Sequence, residues 1–245
     1  MILSLSLTNS CNYRCDYCIA KSYANHAKQC SKSGYTEIRG CILDLDTILM
    51  YLDRFAPQGS TIVLTGGEPM TVPYFGTLIR MLVPHYEIVI ETNGSQLFKL
   101  PKSIDYSNTR LLIAWHPKMI TWEKFHNNIK QINFPWQCIR LMQIATYNNG
   151  ERTIVNDYPQ NIPFPVILND GAMPDFGVPI NEPLMFVRPN GKVMSCASSQ
   201  AKCIGDIYEG TLDESNLNGC RNCTINGLVW CNSLKNVYLA FEGRL

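Results

Sequence analysis

Residues 11–18 read CNYRCDYC and place Cys11, Cys15 and Cys18 within eight positions of one another, directly after the apolar run MILSLSL. Thiols this close form a disulfide, hold zinc, or hold an iron–sulfur cluster. A structural zinc site takes four tetrahedral ligands, commonly as two closely spaced pairs. Here His26 and Cys30 are the nearest further candidates, so counting alone leaves a zinc knuckle open. A cubane cluster normally takes four cysteines. Three would leave one iron free for a substrate or cofactor, and an open position is what catalysis asks of a metal site.

The whole chain narrows these choices. Its 245 residues allow one sizeable core, or one core with a small appended module. A net charge of +1 makes no case for a polyanionic partner. No apolar run reaches the length of a membrane span, and the N-terminus lacks the basic region of a signal peptide, so a cytoplasmic protein with no membrane partner is expected. Eleven cysteines, at positions 11, 15, 18, 30, 41, 138, 196, 203, 220, 223 and 231, cluster towards the two ends. An odd count without a secretion signal argues against a disulfide framework and towards soft-metal binding. Cys41 and Cys138, alone in the main body, read as small buried hydrophobes.

Strand-like and helix-like segments alternate. Ile2–Thr8 reads as a strand delivering the cysteine loop, and the polar stretch 21–39 as a long loop. Leu43–Phe55 has helical spacing, with Asp44 or Asp46 as N-cap. Strands are expected over residues 60–69, 86–94, 109–117, 137–146 and 164–170, with helices across 74–83 and around Trp122, Phe125, Ile129 and Ile132. About six strands, mostly too apolar for a half-solvated sheet, predict a helix-covered parallel sheet, an open partial barrel rather than a closed eight-stranded one. Residues 171–183 read as a linker. MFVRPNGKVMSC (185–196) then reads as a hairpin turning at Pro189-Asn190-Gly191, so a second module is expected over 184–245 after a barrel over 1–183.

The Cys-x3-Cys-x2-Cys spacing, with Tyr17 before the last cysteine, resembles the radical S-adenosylmethionine (radical SAM) superfamily. Two further segments fit the resemblance: TGGEP (65–69) after the second strand and ETNGS (91–95) at the end of the third. The resemblance implies an α/β fold, a partial (β/α)6-type barrel. It implies a [4Fe–4S] cluster on Cys11, Cys15 and Cys18 whose fourth iron chelates S-adenosylmethionine. Contacts to that cofactor are expected from Tyr17, Gly66, Gly67, Glu68, Thr92, Asn93, His116 and Arg140. The residues themselves keep blander readings open: Glu68 as a brace of its turn, Asn93-Gly94 as an ordinary turn, His116 as a rim histidine, and Arg140 as half of a structural ion pair.

Gly191-x4-Cys196, Cys203, Cys220-x2-Cys223 and Cys231 would by themselves suit a zinc ribbon. Beside the first motif they resemble the twitch and SPASM extensions of the same superfamily, a small hairpin-plus-helix module carrying an auxiliary cluster. The resemblance implies one auxiliary [4Fe–4S] cluster on Cys196, Cys220, Cys223 and Cys231, with Cys203 spare. It also implies a one-electron donor such as flavodoxin or ferredoxin, and a 5′-deoxyadenosyl radical that removes a hydrogen atom from substrate. Only ten residues precede Cys11, so no leader-binding domain is expected at that end. That tilts the expected substrate towards a small molecule or nucleoside and away from a ribosomally made peptide, the alternative within the superfamily. The competing class is a non-catalytic zinc-binding interaction protein.

Overall fold

The computed structural model describes residues 1–15, 18, 41–132, 134, 137–142, 145–148, 151–154, 166–169, 183–195 and 201–217, with backbone alone for the strands between 138 and 169. Six strands run parallel: β1 (Ile2–Ser6), β2 (Thr61–Thr65), β3 (Glu87–Thr92), β4 (Thr109–Trp115), β5 (Gln137–Met142) and β8 (Val166–Asn169). Four more continue the sheet beyond β1: β9 (Leu184–Val187), β10 (Lys192–Met194), β11 (Cys203–Asp206) and β12 (Thr211–Leu212). Among the described residues the order β12-β11-β10-β9-β1-β2-β3-β4-β5-β8 is open, with no pairing of its two outer strands. This is the expected partial barrel, an α/β sheet extended beyond β1 by antiparallel strands from the C-terminal part of the chain.

The inner strands are apolar on the face that the helices cover, while the other face mixes apolar side chains with polar ones such as Ser4, Ser6 and Thr65. Leu3, Leu5 and Leu7 share one core with Ile62, Leu64, Ile88, Ile90, Leu111 and Ile113. The alternate positions Val63, Val89 and Leu112 lie on the other face and are equally buried. Three helices cover the first face. In α1 (Leu45–Phe55), Ile48, Tyr51 and Leu52 are buried at helical spacing. Asp44 is its N-cap, its carboxylate accepting from the Thr47 N–H at 2.9 Å. In α2 (Phe75–Leu82), Phe75, Leu78, Ile79 and Leu82 form the buried stripe. In α3 (Trp122–Lys130), Phe125 and Ile129 do so. Each such side chain, if large and fully buried, contributes about 2–3 kcal/mol of transfer free energy.

The structure departs from the sequence reading at one strand. The segment expected as one strand over 137–146 is two: β5 stops at Met142, and Ala145 begins β6 (Ala145–Asn148), which pairs antiparallel with β7 (Glu151–Ile154) in a separate small sheet. Apolar run length sets how far a strand extends, and nothing in the run QCIRLMQIAT marks where pairing changes partner. The sheet continues with residue 184. β9 lies parallel to β1 in register Ile2↔Leu184, so main-chain hydrogen bonding is continuous from the barrel into the expected second module. The hairpin itself is as read: β9 and β10 are antiparallel, with Val193 opposite Val187 and Gly191 in the turn at φ +83°.

Candidate metal and cofactor site

The site forms where β1, β2, β3 and β4 end together, the rim on which parallel sheets carry their ligands. Beyond β1, the chain continues as Leu7–Ser10 alongside the end of β2. The Leu7 N–H donates to the Thr65 carbonyl (2.9 Å), Gly67 N–H to Thr8 (2.7 Å) and Glu68 N–H to Ser10 (2.9 Å). This zipper explains both glycines. A Cβ on Gly66, whose φ is +140°, would lie 2.5 Å from the Thr8 carbonyl oxygen, and one on Gly67 would lie 2.2 Å from that of Ser10. Sequence reasoning gave these glycines to close approach of a ligand. The approach seen is that of the chain leading into Cys11.

Glu68 is fully buried. Its Oε1 accepts from Thr92 Oγ1 (2.8 Å) and Met70 N–H (3.2 Å), and its Oε2 from Asn93 N–H (2.7 Å). Burial pushes its pKa above the ordinary carboxylate value, while these bonds and the charge of Lys99 pull the other way. The carboxylate thus braces the turn after β2 against the end of β3, the role weighed beside direct cofactor contact. Thr92 is occupied in the same brace, and its Oγ1 also accepts from Gly94 N–H at 3.1 Å.

Asn93 joins this brace to the cysteine loop. Its Nδ2 donates to Asn12 Oδ1 (3.0 Å) and reaches Cys11 Sγ at 3.8 Å. Its Oδ1 accepts from the N–H of Ser95 (3.0 Å) and from Ser95 Oγ (2.5 Å). Asn12 Nδ2 in turn donates to Ser95 Oγ at 2.8 Å. Asn12 and Ser95 were missed by sequence reasoning, although both sit inside the quoted motifs. Their polarity suited a turn, and only the fold brings the two loops together. His116, at the end of β4, places Nδ1 3.6 Å from Cys15 Sγ and packs edge-on against Tyr13, ring centroids 5.8 Å apart.

Cys11 is exposed, Cys15 buried and Cys18 between the two, and none is in a disulfide. Although Cys11 as a residue is exposed, partial desolvation by the protein around its sulfur raises its pKa most; the Tyr13 N–H, 3.3 Å from that sulfur, opposes this, while Glu68, Cys18 and Cys15 add like-charge repulsion. Three thiols within electrostatic reach, one of them already receiving N–H donors, suit a centre that neutralises thiolate charge. No group of three or more metal-binding side chains converges on one ion among the described residues. In a cubane each cysteine holds its own iron, so the donor set fits such a cluster without that convergence.

On the opposite sheet face, Thr65 Oγ1 donates to Glu91 Oε2 at 3.1 Å. Arg140 falls in β5 opposite Ala114 and Ile167, and what its guanidinium meets lies outside the described residues. Tyr17 lies outside them too, as do Cys196, Cys220, Cys223 and Cys231. Cys203 is described: it opens β11, is exposed, and its sulfur sits 3.5 Å from the Gly205 carbonyl oxygen.

The family model described as Radical SAM superfamily matches residues 5–114, the stretch that holds the three thiols, the zipper and the Glu68 brace. A GTP 3′,8-cyclase of Pseudomonas savastanoi pv. phaseolicola is 36% identical over 102 residues, covering 40% of this chain and 27% of that one. A GTP 3′,8-cyclase of Stenotrophomonas maltophilia is 32% identical over 123 residues, covering 49% and 31%. The matched part therefore spans only about a quarter to a third of the length of these curated relatives. The solved structure of native anSMEcpe with bound AdoMet and Cp18Cys peptide covers 100% of this chain and 98% of its own, with a TM-score of 0.50 and 12% identity, a likeness of fold. Among the described residues, no helix is long and apolar enough to cross a membrane.

Proposed function

This chain belongs to the radical SAM superfamily, and we propose from that premise that it abstracts a hydrogen atom from a small-molecule or nucleoside-type substrate. The observation that carries the reading is the meeting of Cys11, Cys15 and Cys18 with the Gly66–Gly67 zipper, Asn93 and His116 on one rim. A [4Fe–4S] cluster held there by Cys11, Cys15 and Cys18, with S-adenosylmethionine, would supply one-electron reductive cleavage of the cofactor and so the radical that removes the hydrogen atom. The chain's own residues hold the loops in place. The zipper fixes where Cys11 starts, the Glu68 brace fixes the β2 and β3 ends relative to each other, and Asn93 ties that brace to Asn12 and Cys11. Such positioning matters because a radical reacts with whatever lies nearest. The Gly66 and Gly67 carbonyls, Tyr17, His116 and Arg140 are assigned to the cofactor, with Glu68, Thr92 and Asn93 acting mainly by shaping its bed.

An auxiliary [4Fe–4S] cluster is assigned to Cys196, Cys220, Cys223 and Cys231, with a one-electron donor such as flavodoxin or ferredoxin reducing the enzyme. The names of the relatives, GTP 3′,8-cyclases, support the nucleoside-type class. The test is anaerobic reconstitution with iron and sulfide, then dithionite and S-adenosylmethionine, measuring 5′-deoxyadenosine. Release is expected from the wild type, is lost in Cys15→Ala, and rises with a nucleoside triphosphate from a four-member panel. Stable zinc without iron uptake would overturn the enzyme reading. Release unresponsive to every nucleotide would remove the nucleoside assignment and leave the radical chemistry.

A further inference from the structure

We infer that Asn93 is a positioning residue for the Cys11 thiolate, setting the reduction potential of the cluster that the proposed function places there. The inference rests on that reading and deepens it. Three observations meet in this side chain. Its Nδ2 is an obligate donor, 3.8 Å from Cys11 Sγ and 3.0 Å from Asn12 Oδ1, so one amino group serves the sulfur and the residue next to it. Its orientation is not free to flip, because Oδ1 accepts both the N–H and the hydroxyl of Ser95. Its main chain is anchored from beneath by the buried Glu68 carboxylate, which accepts the Asn93 N–H at 2.7 Å. Asn93 as a whole is 5% exposed, so the donor is held in place by protein partners although Cys11 itself is exposed.

A donor on a thiolate stabilises negative charge, and a reduced cluster carries one more negative charge than an oxidised one. Hydrogen bonds to the sulfurs therefore raise a cluster's potential. Cys11 receives two, from Asn93 and from the Tyr13 N–H at 3.3 Å, and the Cys15 sulfur has the His116 Nδ1 at 3.6 Å. Only the Asn93 donor can be removed by changing a side chain without changing the loop that carries the thiols. Brace, turn and sulfur contact are thus chained, and a shift of the β3 end is felt at Cys11.

The experiment is a redox titration of the reconstituted first cluster, followed by electron paramagnetic resonance, without S-adenosylmethionine. Wild type is compared with Asn93→Leu, which keeps the branched heavy-atom shape and has no donor. The expected result is a lower midpoint potential in Asn93→Leu at an unchanged iron content per chain, and a changed signal shape. An unchanged potential at full iron content overturns the inference. If Asn93→Leu does not load iron, Asn93→Ser, whose hydroxyl is too short to reach the sulfur, is read in its place. Failure of both to load assigns Asn93 to folding alone and overturns it as well. Failure of the wild type to load any cluster is a different result, because it removes the radical SAM reading itself.

Discussion

At the top of β1 and β2, Gly67 lets two chain segments lie so close that a Cβ would stand 2.2 Å from the Ser10 carbonyl oxygen. At the far edge of the same sheet, Gly205 does the same for β11 and β12, with the Thr211 carbonyl oxygen 2.2 Å from its missing Cβ. The steric problem is one and the same, but its consequences differ. Ser10 is the residue before Cys11, so packing there and thiol placement share a backbone. Among the described residues, Thr211 and Leu212 form the last strand, a short one that pairs with β11 alone. Replacing each glycine in turn therefore separates a fault in packing from a fault in chemistry. Gly67→Ala is expected to cost about 3 kcal/mol, since the obstacle is backbone on both sides, and to abolish iron uptake at the first site. Gly205→Ala is expected to cost about 1–2 kcal/mol, because an edge strand shifts more easily, and to leave that iron uptake intact. Urea denaturation and iron assay of both variants decide it. Equal iron loss in the two would show that the edges are coupled.

The next test concerns charge, and again the two regions differ. Glu68, at the thiol end, is a fully buried carboxylate satisfied by three donors. Burial holds its pKa above 4.5 in the folded chain, so the folded state keeps the proton to higher pH than the unfolded state does. More protons bound when folded means that stability falls as pH rises, starting at the unfolded value and ending above the folded one. Relative to Glu68→Gln, the wild type should lose stability as pH rises from 4.5 towards neutrality, then hold level. The variant also turns an amide N–H towards donors, an offset of about 1–2 kcal/mol that does not vary with pH. Urea midpoints for both proteins at several pH values give the difference. A difference that grows in the wild type's favour with pH would mean that the hydrogen bonds outweigh burial.

Much of this was legible in the sequence, and the failures share a cause. CNYRCDYC, TGGEP and ETNGS each fall where a strand meets the rim, because period-2 apolar runs locate strand ends well. The three helices and the Asp44 cap follow from 3.6-residue periodicity and a familiar capping pattern. What was not legible depends on contacts across long sequence separations. Gly66 and Gly67 face residues about 57 positions earlier, a difference read from the Thr8 and Ser10 contacts. Asn12 and Ser95 meet across 83 positions. The pairing of β9 with β1 joins Ile2 to Leu184, and nothing local to either run names its partner. Strand switching at Met142 failed for the same reason: a continuous apolar run does not state which neighbour each half pairs with.

The smallest expected effect is at the far edge, where the charge is partly exposed. Lys192 Nζ lies 2.7 Å from Asp206 Oδ2, with the lysine side chain 41% and the aspartate side chain 10% accessible. Asp206 also accepts the Tyr208 N–H at 2.8 Å on its other oxygen, which closes the turn between β11 and β12. The two roles separate by mutation. Lys192→Met removes only the ion pair, which water and salt screen on the lysine side, so about 0.5 kcal/mol is expected, shrinking further in high salt. Asp206→Ala also strands the turn's N–H groups and should cost more, about 1–2 kcal/mol, with little salt dependence. If the lysine variant instead proved the costlier of the two, the pair and not the turn would be holding β10 to β11. The far edge would then be organised by charge, as the thiol end is by the Glu68 carboxylate.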